Sequence, residues 1–296
     1  MDTVVQVLAS GVTLGSLYAV SSIALSLLWG GLNVLNLAQG AMLALGGYIA
    51  YLCVAIFGLQ IPVSIGLSII IGALTGLIMY FILVKRMIDS EGFETNIIIA
   101  TFGFALLLEN LIQNYFGAYP LKQPIGIQGG INFGSAYIQW QSGVLLFASC
   151  LVMGIIGLIL QKTKLGRAIR ASALNKEIAL LQGVNVTNIY IYVLCICGGL
   201  ASVSGIMVST ITTLAPTMGY DPMLKAFIVC VIAGLGNVYG ALICAMFLGV
   251  FEASVQYLFG VKYGFPALLI LVILIPPRAT KLVNGLVNKL NFITPK

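Results

Sequence analysis

Histidine is missing from this sequence altogether. That excludes His-based catalytic triads, His-ligated zinc and His-ligated haem. Charge is scarce as well: Asp, Glu, Lys and Arg make up 7% of the 296 residues, against about 25% in soluble globular proteins. No G-x-x-x-x-G-K-[ST] stretch occurs, so any ATP-driven work needs a partner that carries a P-loop. No C-x-x-C occurs either. Cys53, Cys150, Cys195, Cys197, Cys230 and Cys244 all lie in apolar runs and read as small buried hydrophobes. Cys195 and Cys197, two apart on a helix, point away from each other. No site here calls for a metal or another cofactor, and a membrane-embedded enzyme would lack both His and a supply of acids. The opening Met1, Asp2, Thr3, Val4 has no basic n-region, so the first apolar run is expected to stay as a helix.

What the chain has is apolar surface. Hydrophobic residues make up 60%, in continuous runs of about 20 rather than the alternating segments of about 10 that build a membrane β-barrel. The expected fold is an all-α polytopic membrane protein, one transmembrane domain over 1–296. Apolar segments fall at 4–29, 37–57, 61–84, 95–116, 142–161, 187–211, 222–237, 239–259 and 263–277. Segment 222–237 is short for a crossing, so about 8–9 transmembrane or re-entrant helices are expected. Interruptions are expected near 30–40 and 234–240. Gly11 and Gly15, Gly72 and Gly76, and Gly236 and Gly240 stand four apart, the spacing that lets helices pack closely in lipid.

Cations are unevenly spread. Lys85 and Arg86 lie in the connection 85–94, Lys162, Lys164, Arg167, Arg170 and Lys176 in 162–186, and Arg278, Lys281, Lys289 and Lys296 in the tail. Only Lys122 lies in 117–141, and none in 212–221. The positive-inside bias therefore places 85–94, 162–186 and the tail in the cytoplasm, 117–141 in the periplasm and the N-terminus outside. The net charge of +6 reads as topology, and no nucleic-acid partner is expected.

The stretch "GGLNVLNLAQGAMLALGG", residues 30–47, carries Asn33, Asn36 and Gln39 among five glycines. An unpaired amide in hydrocarbon is costly. Either a plain interhelical turn satisfies these amides, or a broken helix turns them to a substrate path. Glu109, beside Asn110, Gln113 and Asn114, and Glu252, one turn before Gln256, are acids inside apolar segments. Each either bonds at a helix contact or lines a polar path. "GLGNVYG", residues 234–240, lacks the spacing and the preceding strand of a dinucleotide loop. It reads as a tight interruption.

In "KTKLGRAIRASALNKEIALLQGVNV", Asn175 suits an N-cap, Glu177 a first helical turn and Gly183 a C′ position. Ile178 and Leu181 share a face. This short amphipathic helix, preceded by a basic stretch, either lies on anionic membrane lipid or docks into a cytoplasmic partner.

Glu177, Ala179 and Gly183 keep the E-x-A-x-x-x-G spacing of the loop by which ABC importer permeases engage their ATPases, with Ile178 at the second position. "GVTLGSLYAVSSIALSLLWGGLNVLNLAQGAMLALGGYIAY", "GRAIRASALNKEIALLQGVN", "GGLASVSGIMVS", "APTMGYDPMLKAFIVCVIAGLGNVYGALI" and "LGVFEASVQYL" resemble, in order and spacing, the LivH-type permeases of branched-chain amino-acid importers. The resemblance implies a second permease subunit (LivM-like or homologous), two cytoplasmic ABC ATPases, a periplasmic substrate-binding protein and an inner-membrane location. It also implies an ATPase-coupling helix at Glu177, Ile178, Ala179, Leu181 and Gly183. The same superfamily scaffold carries urea, amides or sugars, so substrate rests on the subfamily. The competing reading, a stand-alone channel or ion-coupled carrier, would rely on Glu109 and Glu252.

Overall fold

The computed structural model describes residues 2–274 except 33, 89, 91, 127–128, 134–135, 175 and 235. The helices are α1 (Asp2–Leu32), α2 (Gln39–Tyr51), α3 (Ile61–Met79), α4 (Lys85–Met87), α5 (Phe93–Phe116), α6 (Trp140–Lys162), α7 (Lys164–Leu174), α8 (Lys176–Leu181), α9 (Val186–Ser209), α10 (Tyr220–Ala233), α11 (Val238–Phe259) and α12 (Gly264–Leu274). Two π-helical segments, Leu52–Ile56 and Tyr80–Val84, extend α2 and join α3 to α4. An antiparallel pair, β1 (Gly130–Phe133) and β2 (Ala136–Gln139), precedes α6.

Among the described residues seven helices are long and apolar enough to cross a membrane: α1, α2, α3 with α4, α5, α6, α9 and α11. The chain is an all-α polytopic membrane protein with one small hairpin. The other two apolar segments form the shorter α10, which stops before Gly234 at φ 90°, and α12. The described residues end at 274, so the last three residues of segment 263–277 and the basic tail lie outside them.

The chain divides into two compact units. In the unit of residues 27–126 and 158–223, α2 packs on α3, α5 and α9, and α3 packs on α9. Small residues permit it. A Cβ on Gly72 would overlap Ser202, one on Gly76 would overlap the Leu194 carbonyl, and one on Gly205 would overlap the Leu43 carbonyl. The opposite side of α3 carries exposed Ile70, Leu74 and Ile78 at intervals of four, a stripe suited to lipid. Loops after α5 and α9 meet through two 2.9 Å backbone bonds between Leu121 and Leu214. Both loops therefore lie at the same end of this unit.

In the unit of residues 1–26, 127–157 and 224–296, α1 packs on α11 where Gly11 and Gly15 face Val250 and Met246, and a Cβ on Gly249 would overlap the α1 backbone. Two of the three glycine pairs thus serve helix packing. Gly236 and Gly240 do not. Gly236 takes φ 85° in the break before α11, and Gly240 donates its N–H to the Asn237 Oδ1 at 2.9 Å. There the interval of four belongs to a cap rather than to an interface.

Gly205→Ala is expected to destabilise the chain by about 1–3 kcal/mol, because the added methyl must push α2 from α9. Gly66→Ala meets nothing within 4 Å and gains helix propensity, up to about 1 kcal/mol. Thermal unfolding in detergent separates them. Equal midpoints would show that α2 and α9 are not in backbone contact.

Candidate functional site

The first break falls where the glycines and amides cluster. α1 ends at Leu32, residues 34–36 are irregular, and α2 begins at Gln39. Asn36 and Gln39 are therefore not on one helical face. Asn33 lies outside the described residues. Asn36, 3% exposed, accepts the Ala38 N–H on its Oδ1 at 2.9 Å and the Gln39 N–H on its backbone oxygen at 3.4 Å. The Leu37 N–H donates to the Thr101 hydroxyl of α5 at 3.2 Å. Asn36 so does the work of a turn. Gln39 does not: it is 1% exposed, and neither its amide nitrogen nor its amide oxygen has a hydrogen-bond partner.

Beside Gln39, the backbone of Gly40 lies against that of Gly219. The next residue, Tyr220, lies near the half-buried Glu109 carboxylate. The fold thus gathers Gln39, on α2, and Glu109, on α5, around the start of α10.

Glu252 belongs to a different cluster. Lys225 of α10 donates to its Oε1 at 2.9 Å, Gln256 Nε2 to the same oxygen at 2.9 Å, and the Tyr18 hydroxyl to its Oε2 at 2.6 Å. Lys225 also reaches the Tyr18 oxygen at 3.2 Å. Glu252 is 1% exposed. The cluster joins α1, α10 and α11 through a charge pair, the form in which hydrocarbon tolerates charge.

The connection between α6 and α9 is two helices, not one. The basic stretch is itself helical: α7 turns Gly166, Ile169 and Ser172 inward and Arg167, Arg170 and Ala173 outward. The interval of three in that stretch carries the signal. In α8, Ala179 is fully buried, while Ile178 and Leu180 are half-exposed and Leu181 is 88% exposed. Gly183 at φ 78° closes the helix. Its N–H donates to Leu180 and that of Val184 to Ala179, both at 3.0 Å, as expected of a glycine C′. Asn175 and the Glu177 side chain lie outside the described residues. The next helix is capped by Asn185, whose Oδ1 accepts the Asn188 N–H at 3.2 Å. A groove beside this connection runs between Lys164, Leu165 and Ala168 of α7 and Asn188, Ile189 and Tyr192 of α9.

A family described as "Branched-chain amino acid transport system / permease component" matches residues 7–287. The chain belongs to this family. It is similar to the high-affinity branched-chain amino acid transport system permease protein BraD of Pseudomonas aeruginosa, 28% identical over 92% of this chain and 94% of that protein. It is also similar to LivH of Escherichia coli, 26% identical over 92% and 93%. The ribose import permease RbsC of Escherichia coli is 28% identical over 73% of this chain and 67% of its own length. No solved structure matches.

In this member of the branched-chain permease family, sequence reasoning missed Lys225. It sits alone among apolar residues in 222–237, and a lone lysine in such a run calls for a carboxylate partner. That signal pointed to Glu252, the other charge in the neighbouring apolar segment.

Proposed function

We propose that the chain is the membrane-spanning subunit of an ATP-driven importer, carrying branched-chain or related amino acids across the bacterial inner membrane. The observation that carries this is α8: a short helix that buries Ala179 in its own fold and leaves Ile178, Leu180 and Leu181 outside it. Exposed apolar side chains on an extramembrane helix suit a groove on a partner. In an importer those partners are two ATPase subunits. A second permease completes the membrane part, and a periplasmic binding protein delivers substrate. The chain does no chemistry on its cargo. ATP binding at the partners shifts the permease between outward- and inward-open states through their differential affinity for the two. Gln39, at the break before α2, and Glu109, on α5, are the proposed lining of the path. Similarity to a ribose permease makes a sugar the second cargo to test.

The experiment is uptake into proteoliposomes holding the chain with its second permease and ATPases, with loaded binding protein outside. ATP-dependent uptake of leucine, isoleucine or valine is expected, and none by the chain alone. Concentrative uptake without ATP or ATPases would replace this reading with a carrier. Uptake of ribose or urea in place of every amino acid would replace the cargo.

A further inference from the structure

At the start of α2 the backbone is left wanting an acceptor. The Leu37, Ala38 and Gln39 N–H groups are taken by Thr101 and Asn36, and Met42 resumes the helical pattern by donating to Ala38 at 2.9 Å. Between them, the Gly40 and Ala41 N–H groups have no acceptor among the described residues. Free N–H groups at a helix start, reinforced by the helix dipole, make an anion site. A helix start alone would signify little, since most are served by water. This one is buried: Gln39, Gly40 and Ala41 are all inaccessible. The Gln39 amide, 1% exposed and unpartnered, is the independent sign. Side chains lean toward the N-terminus of their helix, so the first residue projects into the break. A buried amide without partners is an exception that calls for one.

We propose that the N–H groups of Gly40 and Ala41, with the Gln39 side-chain amide, bind the carboxylate group of the transported amino acid on its way through the permease. The inference rests on the amino-acid cargo proposed above and names the group that is read. Three uncharged donors suit a carboxylate better than an ammonium, which needs acceptors. The site therefore suits the carboxylate of an amino acid rather than a neutral sugar. A Cβ on Gly40 would stand 2.9 Å from the Gly219 oxygen, so the Gly219 backbone packs against the first turn of α2.

The test is turnover of the assembled importer with saturating leucine-loaded binding protein. Gln39→Glu keeps the shape and sets a like charge against the carboxylate. It should lower uptake per complex at least tenfold. Gln39→Asn keeps an amide and should stay within about threefold of the parent. Assembly of each variant complex is measured alongside uptake. If Gln39→Glu transports leucine at the parent rate, the site is overturned while the amino-acid importer stands. If Gln39→Asn and Gln39→Glu fall equally, or either fails to assemble, Gln39 is only a structural residue and the site is again overturned. If the parent complex imports ribose or urea and no amino acid, the underlying reading fails first.

Discussion

Lys225→Met is expected to be among the most damaging single changes in this chain. The Glu252 carboxylate would keep the Tyr18 and Gln256 donors but lose its cation, at 1% exposure inside apolar helices. Breaking a buried pair by removing one partner costs about 3–5 kcal/mol, a large share of the total stability of a folded domain. The folded fraction recovered in mild detergent should fall sharply. Glu252→Gln should cost less than Lys225→Met. Tyr18 and Gln256 still find a polar partner there, and Lys225 keeps the Tyr18 oxygen as an acceptor. The double change Lys225→Met with Glu252→Met removes both charges and fills their volume. It should recover most of the loss, because apolar replacement of a buried pair is often neutral or stabilising. Thermal unfolding of the parent, Lys225→Met, Glu252→Met and the double variant measures the coupling. Additive losses in the double variant would mean that the two charges act independently.

This pair also marks how far the sequence alone could be read. Tyr18 and Glu252 stand 234 residues apart, and Tyr18 and Lys225 stand 207 apart. Each residue is unremarkable beside its own neighbours, and only the packing of three helices joins them. Gly11 and Gly15 announced a close contact but not with which helix. Residue spacing cannot name a partner. Glu109 was conspicuous as an acid in an apolar run, but Tyr220 was not legible as its neighbour. Nothing in "APTMGYD" says that its backbone folds against Gly40.

Local features were legible because their causes are local. The helix break at 34–38 follows from amides and glycines that favour turns over helix. The end of α8 follows from Gly183, which takes the positive φ that a side chain resists. Where local reading slipped, a second local cause competed. Turn or path was one choice for Asn36 and Gln39 together, but Asn36 caps the backbone of Ala38 while the Gln39 amide has no partner. The glycines at 236 and 240 looked like a packing pair, but Asn237 between them makes a cap. The basic stretch 164–174 looked like a charged approach to a helix. Its charges occupy one face of a helix whose other face buries Ile169.

Leu181→Asp is expected to disconnect the chain from its ATPases while leaving the chain itself folded. Leu181 is 88% exposed, and substitutions at such positions usually change stability by no more than about 0.5 kcal/mol. Buried in a partner groove, a leucine side chain is worth about 1.5–3 kcal/mol, which is about 10–150-fold in dissociation constant. An aspartate forced into the same groove without a partner adds a desolvation cost to that loss. Co-purification of the ATPases and ATP-dependent uptake should therefore both collapse, with the detergent unfolding midpoint unchanged. Ala179→Asp serves as the contrast. Ala179 is fully buried within the chain's own fold, so that change should lower the midpoint before any partner is added. The competing role for the loop, a helix lying on anionic lipid, predicts a different pattern. Leu181→Asp would then weaken binding of the 162–186 loop to lipid and leave the ATPases attached. Retention of the ATPases at parental stoichiometry with normal uptake would settle the loop as a lipid-facing surface.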